Sequence, residues 1–215
     1  MKKLMPRVLP ILAGLIAGVV ISGVLFWATG FSFFGASREK PLSSEKVNNE
    51  ELTALAFDIL RVIKAGDYGS LSRSVHPALG VLFSPCATIT LTTNKCFRAD
   101  QVAAFGTDTN SYVWGVYSAS GEPIEMTPVE YFARFVFDRD YTTASVIGVN
   151  HVVRSGNALE NITEELPDVM FVDFHIPCGD KSAIEDPNWS SLRLGFEEHE
   201  GAMFLTVIMH SELTV

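Results

Sequence analysis

The sequence predicts an α+β protein in which an N-terminal transmembrane helix is followed by one domain with a curved, mostly antiparallel sheet wrapped around a long helix. Two observations predict this fold class. Residues 8–36 form one uncharged, apolar run, and the remaining chain starts with helical periodicity and continues as a series of strand patterns. Helices that precede a run of strands are typical of α+β domains, in which the sheet bends around the helix.

The apolar run at residues 8–36 predicts a membrane anchor, because it is longer than the roughly 20 residues that a helix needs to cross a hydrocarbon core. Lys2, Lys3 and Arg7 precede this run, while the residues after it carry a balanced to acidic charge. The positive-inside rule then places residues 1–7 in the cytoplasm and the C-terminal domain outside. We therefore expect a single-pass protein of the cell membrane that contacts the lipid bilayer through residues 8–36.

A cleavable secretory signal is the alternative, since it also has a cationic start and an apolar core, although a shorter one of about 7 to 15 residues. Phe34 occupies the position where cleavage after Ala36 would need a small side chain. No cysteine precedes Cys86, so the chain has no lipobox to acylate. Residues 37–50 are polar, which is typical of a linker, and the folded domain is expected at residues 51–215.

The charge balance disfavours a nucleic-acid role. Sixteen Lys and Arg face twenty-five Asp and Glu, and the formal net charge is −9. Such a chain is poorly suited to neutralise phosphates. The sequence also contains no glycine-rich phosphate loop, nucleophile elbow or zincin helix, and its thiols lack metal-ligand spacing, so we predict no cofactor and no metal centre.

The first helix of the domain is predicted from Leu52, Ala56, Ile59 and other apolar residues, which recur every three or four positions until Gly66. Asp67 is expected to cap a second, short helix. Shorter helices are predicted at residues 98–105 and 126–137. The predicted strands are residues 81–83, 88–92, 112–117, 146–153, 169–176, 191–197 and 203–213, with a hairpin turn at 198–201.

Element order and two segments give a resemblance to a known superfamily. The segments are AFDILRVIKAGDYGSLSRSVHP and the terminal LRLGFEEHEGAMFLTVIMH. They resemble the nuclear-transport-factor-2-like cone, a superfamily that holds ketosteroid isomerases, dehydratases and many binding-only extracytoplasmic modules. More narrowly, SVHPALGVLFSP, YVWGVYSASGEPIEMTPVEYFARFVFDRDY, SGNALEN and SSLRLGFEEHEG look like functionally uncharacterised bacterial lipoproteins and membrane-anchored proteins. The closer resemblance implies no particular chemistry.

The three cysteines of the chain all lie in the predicted outer domain. Cys86 and Cys96 flank a predicted strand and turn, and an oxidising exterior would allow them to form a disulfide that stabilises by roughly 2 to 3 kcal/mol. Cys178 could replace either partner or stay free, because spacing alone does not determine connectivity.

Two histidines acquire carboxylate neighbours from strand periodicity. Asp173 and His175 share one face of a predicted strand, and His210 and Glu212 share one face of another. A carboxylate beside an imidazole suits a general base. In both strands the opposite face is the apolar one, so the alternative is that these side chains simply lie on the solvated side of the sheet.

Three other residues are candidates for lining a pocket. Trp114 and Tyr131 belong to an aromatic set that could line an apolar cavity or pack as core. His76 precedes Pro77 at the exit of the second helix, where related cones often keep a polar residue at the pocket mouth. The alternative for His76 is a structural role, in which the imidazole binds the last carbonyls of the helix.

A calcium-loop motif and two glycosylation sequons also occur in the sequence. Asp138 and Asp140 suggest a calcium loop, but the glycine and terminal glutamate of an EF-hand are missing, so a solvated helix end is expected. Asn161 and Asn188 begin glycosylation sequons, which matter only in a host that glycosylates.

These patterns predict a membrane-anchored, extracytoplasmic domain that binds a ligand or another protein without catalysis. Its partner would be an envelope protein or a small apolar ligand. The alternative is a small isomerase, dehydratase or hydrolase that uses His210, Glu212, Asp173 or His175 inside the cone.

Overall fold

The computed structural model describes residues 48–117, 119–177 and 188–213, which fall within one compact unit. The predicted anchor at residues 8–36 and Cys178 lie outside the described residues. In the described ranges, no helix is both long enough and apolar enough to cross a membrane.

The long first helix, α1 (Asn49–Lys64), is confirmed, and it begins two residues before the predicted start. Asn48 caps it: the Asn48 side chain accepts the amides of Glu50 and Glu51, and the Glu51 carboxylate accepts the Asn48 amide in return. This reciprocal arrangement satisfies amides that have no partner within the helix. The predicted apolar stripe is the buried face: Leu52, Ala56, Ile59, Leu60 and Ile63.

The second helix, α2 (Tyr68–Ser74), is capped by Asp67 as predicted, since the Asp67 carboxylate accepts the Ser70 amide. Three short helices follow: α3 (Ala99–Ala103), α4 (Pro128–Tyr131) and α5 (Ile162–Glu165). A π-helical turn at Phe132–Val136 continues α4, and a 3₁₀ turn forms at Tyr141–Thr143.

The main sheet has six strands in the order β2-β1-β8-β7-β6-β5. Their bounds are β1 (Val81–Ser84), β2 (Lys95–Phe97), β5 (Val146–Val149), β6 (Met170–Ile176), β7 (Ser190–His199) and β8 (Ala202–Glu212). The β1–β8 pairing is parallel and the other four are antiparallel, so the α+β class with a curved, mostly antiparallel sheet is confirmed and the sheet is strictly mixed. A separate hairpin pairs β3 (Tyr112–Val116) with β4 (Pro123–Met126).

Two element predictions are wrong. Residues 88–92 form a turn rather than a strand, because the Asn94 side chain accepts the Thr90 amide while the Thr90 carbonyl accepts the amides of Thr93 and Asn94. The predicted helix at 126–137 begins only at Pro128, since Met126 pairs with Tyr112 in the β3–β4 hairpin.

Buried side chains cover both faces of the main sheet. The helix face carries the larger core, in which Phe83 packs against the rings of Phe97, Phe105, Trp114, Tyr131 and Phe132. The opposite, loop face carries a smaller core that includes Phe171, Val207 and Met209 of the sheet and Ile89 and Ile162 of the covering segments. Neither face of the central strands is therefore open to water.

Candidate functional site

The four predicted catalytic side chains do not form one site. His210 lies opposite Leu192 and shares the helix face with it, whereas Asp173 lies opposite Arg193 on the loop face. His175 lies on the loop face as well, where its Nδ1 is 2.9 Å from Ser191 Oγ. Asp173, His175 and His210 are all buried, so the alternative of a solvated position is wrong for these three.

A β-bulge explains why strand periodicity misplaced His210. Phe196 pairs with Leu205 but Gly195 pairs with Val207, so Thr206 is an extra residue in β8. Because an extra residue reverses the alternation of side chains, Val207 and Met209 point to the loop face. His210 therefore joins Leu205 on the helix face instead of lying opposite to it.

His210 belongs to a buried polar cluster that we call the His210 cluster, formed with Asp138, Tyr141 and Ser190. Ser190 Oγ lies 3.0 Å from His210 Nε2 and donates to Asp138 Oδ2 at 3.3 Å. The Tyr141 hydroxyl donates to Asp138 Oδ1 at 2.6 Å and also contacts Ser190 Oγ. His210 Nε2 lies 3.5 Å from Asp138 Oδ1.

These contacts are satisfied by the His210 tautomer that is protonated at Nε2. Ser190 has a single hydroxyl proton, which it donates to Asp138, so its oxygen is free to accept from a protonated Nε2 of His210. Nδ1 then carries a lone pair, and it is buried with no hydrogen-bond partner among the described residues. An imidazole that is hydrogen bonded at one nitrogen to a serine beside a carboxylate, and unpartnered at the other nitrogen, has the arrangement of a general base.

The electrostatics of the cluster keep Asp138 ionised. Burial acts to raise the pKa of Asp138, but the interaction with the neighbouring His210 and the hydrogen bond from Tyr141 outweigh it, so this pKa lies below its ordinary value. Burial and the neighbouring Asp138 carboxylate raise the pKa of the Tyr141 phenol. Tyr141 therefore stays a hydrogen-bond donor at physiological pH.

Little space adjoins the cluster. Phe135 packs edge-on against the His210 ring, with centroids 5.7 Å apart, and lines a cavity of about 20 Å³ together with Glu212, Cys86 and Tyr117. That volume holds about one water molecule. Glu212 is paired with Arg134 at 2.6 Å at this cavity, so it lies near His210 without joining its hydrogen bonds.

The loop face holds a second polar group around Arg193, which is fully buried in the middle of β7. Its Nε lies 3.1 Å from Asp173 Oδ2, and its Nη1 contacts the Glu160 carboxylate. Burial raises the pKa of Glu160, with Arg193 opposing the rise. Arg193 Nη2 and Asp173 Oδ1 have no hydrogen-bond partner within the described residues. This group therefore pins the segment around Glu160 onto the sheet.

The predicted pocket residues are placed in packed surroundings. Trp114 and Tyr131 are fully buried and stacked at 3.9 Å, and the Trp114 indole donates to the Met126 carbonyl at 2.9 Å. His76 Nδ1 accepts the amides of Ala78 and Leu79, and its ring contacts that of His199. Trp114 and Tyr131 thus belong to the core, and His76 closes a turn.

The predicted disulfide between Cys86 and Cys96 is not formed, because both cysteines are free thiols. Cys96 pairs with Leu82 across the β1–β2 ladder, and Cys86 lies four residues further along the chain. Cys86 lies beyond the end of β1 at Ser84, where the chain bends, so the two cysteines are not cross-strand partners. The Cys96 thiol instead contacts the Leu79 carbonyl at 3.3 Å.

The Asp138 and Asp140 motif and the Asn161 sequon both lie in the described residues. In the described ranges, no group of three or more His, Cys, Asp or Glu side chains is arranged to hold a metal ion. Asn161 is buried, and its amide bonds the Ile89 backbone at 2.7 and 2.9 Å, so this sequon is closed to a glycan in the folded domain.

Sequence patterns do not predict Asp138, Tyr141 and Ser190 as partners of His210. Asp138 was expected at a solvated helix end, whereas the Phe137 backbone leaves the π-helical turn and directs Asp138 under β7 and β8. No local signal marks this contact, because Asp138 and His210 are far apart in sequence. The π-helical turn, which moves the following residues around the helix axis, is also without a sequence signature here.

Apolar side chains are exposed on and beside the β3–β4 hairpin. Val113, Val116 and Tyr117 are 47%, 42% and 37% exposed, and Val129 at the start of α4 is 48% exposed. A shallow groove next to them is lined by Glu125, Met126, Glu130, Ala133 and Arg134. We call Val113, Val116, Tyr117 and Val129 the hairpin surface.

Comparisons with known proteins give structural similarity alone. No family model matches the chain, and no curated protein matches it. The chain is similar to a solved protein named Rd1NTF2_05 that carries five substitutions (TM-score 0.31, 9% identity, 76% of this chain and 100% of that one). It is also similar to a putative calcium/calmodulin dependent protein kinase II association domain from Xanthomonas campestris (0.33, 13%, 81% and 94%).

A third solved structure is a domain of unknown function with a cystatin-like fold from Nostoc punctiforme (TM-score 0.32, 11% identity, 77% of this chain and 79% of that one). Similarities at these scores carry no argument about chemistry. The resemblance to uncharacterised bacterial lipoproteins and membrane-anchored proteins stays a prediction.

Proposed function

We propose that this protein is a membrane-anchored, extracytoplasmic interaction domain that binds another envelope protein through the hairpin surface. The observation that supports the proposal is a contrast between the filled core of the domain and its exposed hairpin surface. The helix face of the sheet is filled with aromatic side chains, whereas four apolar side chains of the hairpin surface face water.

The filled interior argues against a small apolar ligand in the described part of the domain. Ligand pockets usually enclose about 300 to 1,000 Å³, and the cavity beside the His210 cluster has about 20 Å³. Trp114 and Tyr131, the predicted pocket residues, are fully buried and stack on each other. A small apolar ligand is therefore less well supported as the partner than another envelope protein.

The hairpin surface has the composition of a protein interface. Exposed valines with a tyrosine give apolar contact area and a hydroxyl handle, and single apolar side chains are also exposed elsewhere on the domain, at Leu79, Leu91 and Leu159. Glu122 and Glu125 are exposed around it, while Arg134 is already paired with Glu212. A partner with apolar residues and flanking Lys or Arg would complement this surface.

The membrane topology is part of the proposal and rests on the uncharged run at residues 8–36 and on Lys2, Lys3 and Arg7. Reporter fusions test it. An alkaline phosphatase fused after residue 215 should be active in the periplasm, and a fluorescent protein fused there that matures only in the cytoplasm should stay dark. The opposite pattern would reject the topology.

Photo-crosslinking in living cells tests the proposed interface. A benzophenone amino acid at position 113 or 116 of the full chain should give a discrete adduct with one envelope protein. The same probe at the exposed Thr163 on α5 is the matched control and should give none. Val113→Glu should abolish the adduct from position 116. Equal labelling from all three positions would reject the hairpin surface.

A small enzyme is the second candidate, and the His210 cluster is the observation that favours it. His210 Nδ1 would accept a proton from an acidic C–H or O–H group of a substrate, while Nε2 stays hydrogen bonded to Ser190 and close to Asp138. This activity requires Phe135 to move away from the His210 ring, because the cavity that Phe135 lines among the described residues has only about 20 Å³.

Proton exchange gives a direct test of that candidate. Cyclohexanone incubated with the full chain in D₂O should gain deuterium at its α carbon faster than with the His210→Gln variant, if the cluster is a general base. His199→Gln is the matched control, since His199 lies outside the cluster. Equal rates for all three proteins would leave the interaction proposal as the better account.

A further inference from the structure

Residues 151–158 form a strap without helix or strand that lies over the loop face of the sheet. The chain is fixed on both sides of the strap. Before it, the Asn150 amide donates to the Phe171 carbonyl of β6, and the Asn150 side chain accepts the Phe171 amide. After it, the Asn161 side chain bonds both backbone groups of Ile89. A movement of the strap is therefore confined to the residues between these two anchors.

The strap docks on Trp189, which is 1% exposed beneath it. The Arg154 guanidinium lies 5.0 Å from the centre of the Trp189 ring, close enough for a cation–π attraction. A side-chain carbon at Gly156 would lie 3.3 Å from the same ring, so the strap backbone is in close contact with it. The Val153 amide also donates to Asp173 Oδ2 at 2.8 Å.

Trp189 rests in turn against His175, a titratable side chain of β6. The centroids of the two rings are 5.6 Å apart. His175 is 6% exposed, and its Nδ1 lies 2.9 Å from Ser191 Oγ. The order from the strap to the sheet is thus a guanidinium, an indole and an imidazole. Because Arg154 keeps its charge at physiological pH, protonation of His175 places a second positive charge behind the same indole.

The charges around His175 decide which of its forms the docked strap favours. Burial lowers the pKa of His175 below its ordinary value, Asp173 opposes this shift, and Arg154 adds to it. Arg193 lies on the same face, paired with Asp173 and Glu160, and strand β5 beside β6 carries no charge. Asp173 and Arg193 belong to the sheet and stay in place when the strap leaves. Burial and Arg154 depend on the strap, so the docked strap favours the neutral imidazole.

We propose that residues 151–158 are a pH-sensitive strap, in which protonation of His175 releases Arg154 from Trp189 and uncovers this part of the loop face. The strap is closed above about pH 6.5 and opens as the pH falls through the lower pKa of His175 in the docked form. The Trp189 indole N–H is buried without a hydrogen-bond partner among the described residues. Opening lets water reach this donor, which reduces the cost of releasing the strap.

Hydrogen exchange of the full chain in detergent tests the opening. Amides of residues 151–158 should lose protection between about pH 7.5 and about pH 5, after correction for the intrinsic pH dependence of exchange, while α1 stays protected. The opening equilibrium should rise about tenfold for each unit by which the pKa of His175 differs between the open and docked forms. A loss of protection in α1 to the same extent would mean that the whole domain unfolds, and it would overturn the proposal.

Variants at four positions identify the group that responds to pH. His175→Gln takes no proton but still offers Ser191 a hydrogen-bond partner, so its strap should be protected equally at both pH values. Arg154→Met keeps a side chain over the indole and should show a smaller response than wild type. His151→Gln, at an exposed position of the strap itself, is the matched control and should respond as wild type does, as should Glu160→Gln.

Equal protection of the wild-type strap at both pH values would overturn the proposal. A His175→Gln strap that still opens in acid, or an Arg154→Met strap with an undiminished response, would also overturn it. A response that disappears in Glu160→Gln would assign the pH dependence to the carboxylate on Arg193 instead of to His175.

Discussion

His210 and Asp173 lie on opposite faces of the same sheet. Both side chains are buried, and both belong to central strands. Their β7 partners, Leu192 and Arg193, are consecutive residues and so point to opposite sides. His210 is held by Asp138 and Ser190 under the helices, and Asp173 is held by Arg193 under the loops. The domain thus has two separate polar clusters, one buried under the helices and the other buried under the loops.

Arg193→Met is expected to destabilise the domain strongly. Arg193 and Asp173 are both fully buried, and removing one charge leaves the other uncompensated. We expect a loss of about 3 to 5 kcal/mol in the free energy of unfolding, measured by urea denaturation.

The double variant Arg193→Met/Asp173→Leu is the matched control for that change. It removes both fully buried charges and should recover part of the lost stability, since a buried ion pair replaced by apolar side chains is often close to neutral, while Glu160 and the Val153 amide lose their partners. If the double variant is as unstable as the sum of both single variants, the ion pair is not what links these residues.

Much of this fold was predictable from local patterns. The α1 stripe, the Asp67 cap of α2 and the strands β6 to β8 follow from periodicity and turn residues. The face of His210 did not follow, because Thr206 forms a bulge that pattern counting does not detect. The pairing of His210 with Asp138 depends on tertiary packing, and the burial of Asp173 depends on loops that fold over the sheet.

Trp114→Ala is expected to cost about 3 to 5 kcal/mol of unfolding free energy. Trp114 is fully buried, stacks on Tyr131 and packs against Phe83, and its loss also leaves the Met126 carbonyl without the indole donor. The neighbouring Val113→Ala is the control and should change stability by less than about 0.5 kcal/mol, because Val113 is exposed. Similar losses for the two variants would argue against the packed core described here.

His76 is expected to make stability depend on pH. Burial and the nearby His199 lower the pKa of His76 below its ordinary value of 6.5, with Glu197 opposing the shift. The neutral imidazole is therefore the folded form, and its contribution is present above about pH 6.5 and is lost as the pH falls towards the lower, folded-state pKa.

His76→Asn should flatten that pH dependence between about pH 7 and pH 5, since the Asn side chain titrates no proton but still offers an acceptor to the Ala78 and Leu79 amides. Urea denaturation at a series of pH values measures it. A slope unchanged from wild type would show that His76 does not carry the effect.

Cys96→Ser is expected to leave the unfolding free energy within about 0.5 kcal/mol of wild type, even after purification under oxidising conditions, because Cys96 is an exposed free thiol. A disulfide at this position would instead make the substitution cost roughly 2 to 3 kcal/mol. The residue is exposed, but its sulfur packs on the Leu79 carbonyl, and the resulting desolvation raises the pKa of Cys96, so alkylation at pH 8 should be slower than that of an ordinary thiol.

Within residues 48–117, 119–177 and 188–213, the helix face of the sheet is filled by the protein's own side chains, and the cavity beside the His210 cluster has about 20 Å³. An experimental structure of the full chain, purified from an oxidising compartment without removing bound compounds, tests it most directly. We expect Trp114 stacked on Tyr131 and Phe135 packed on His210, with no ligand density between them. A bound compound between Phe135 and His210 would contradict the claim and make the His210 cluster an active site.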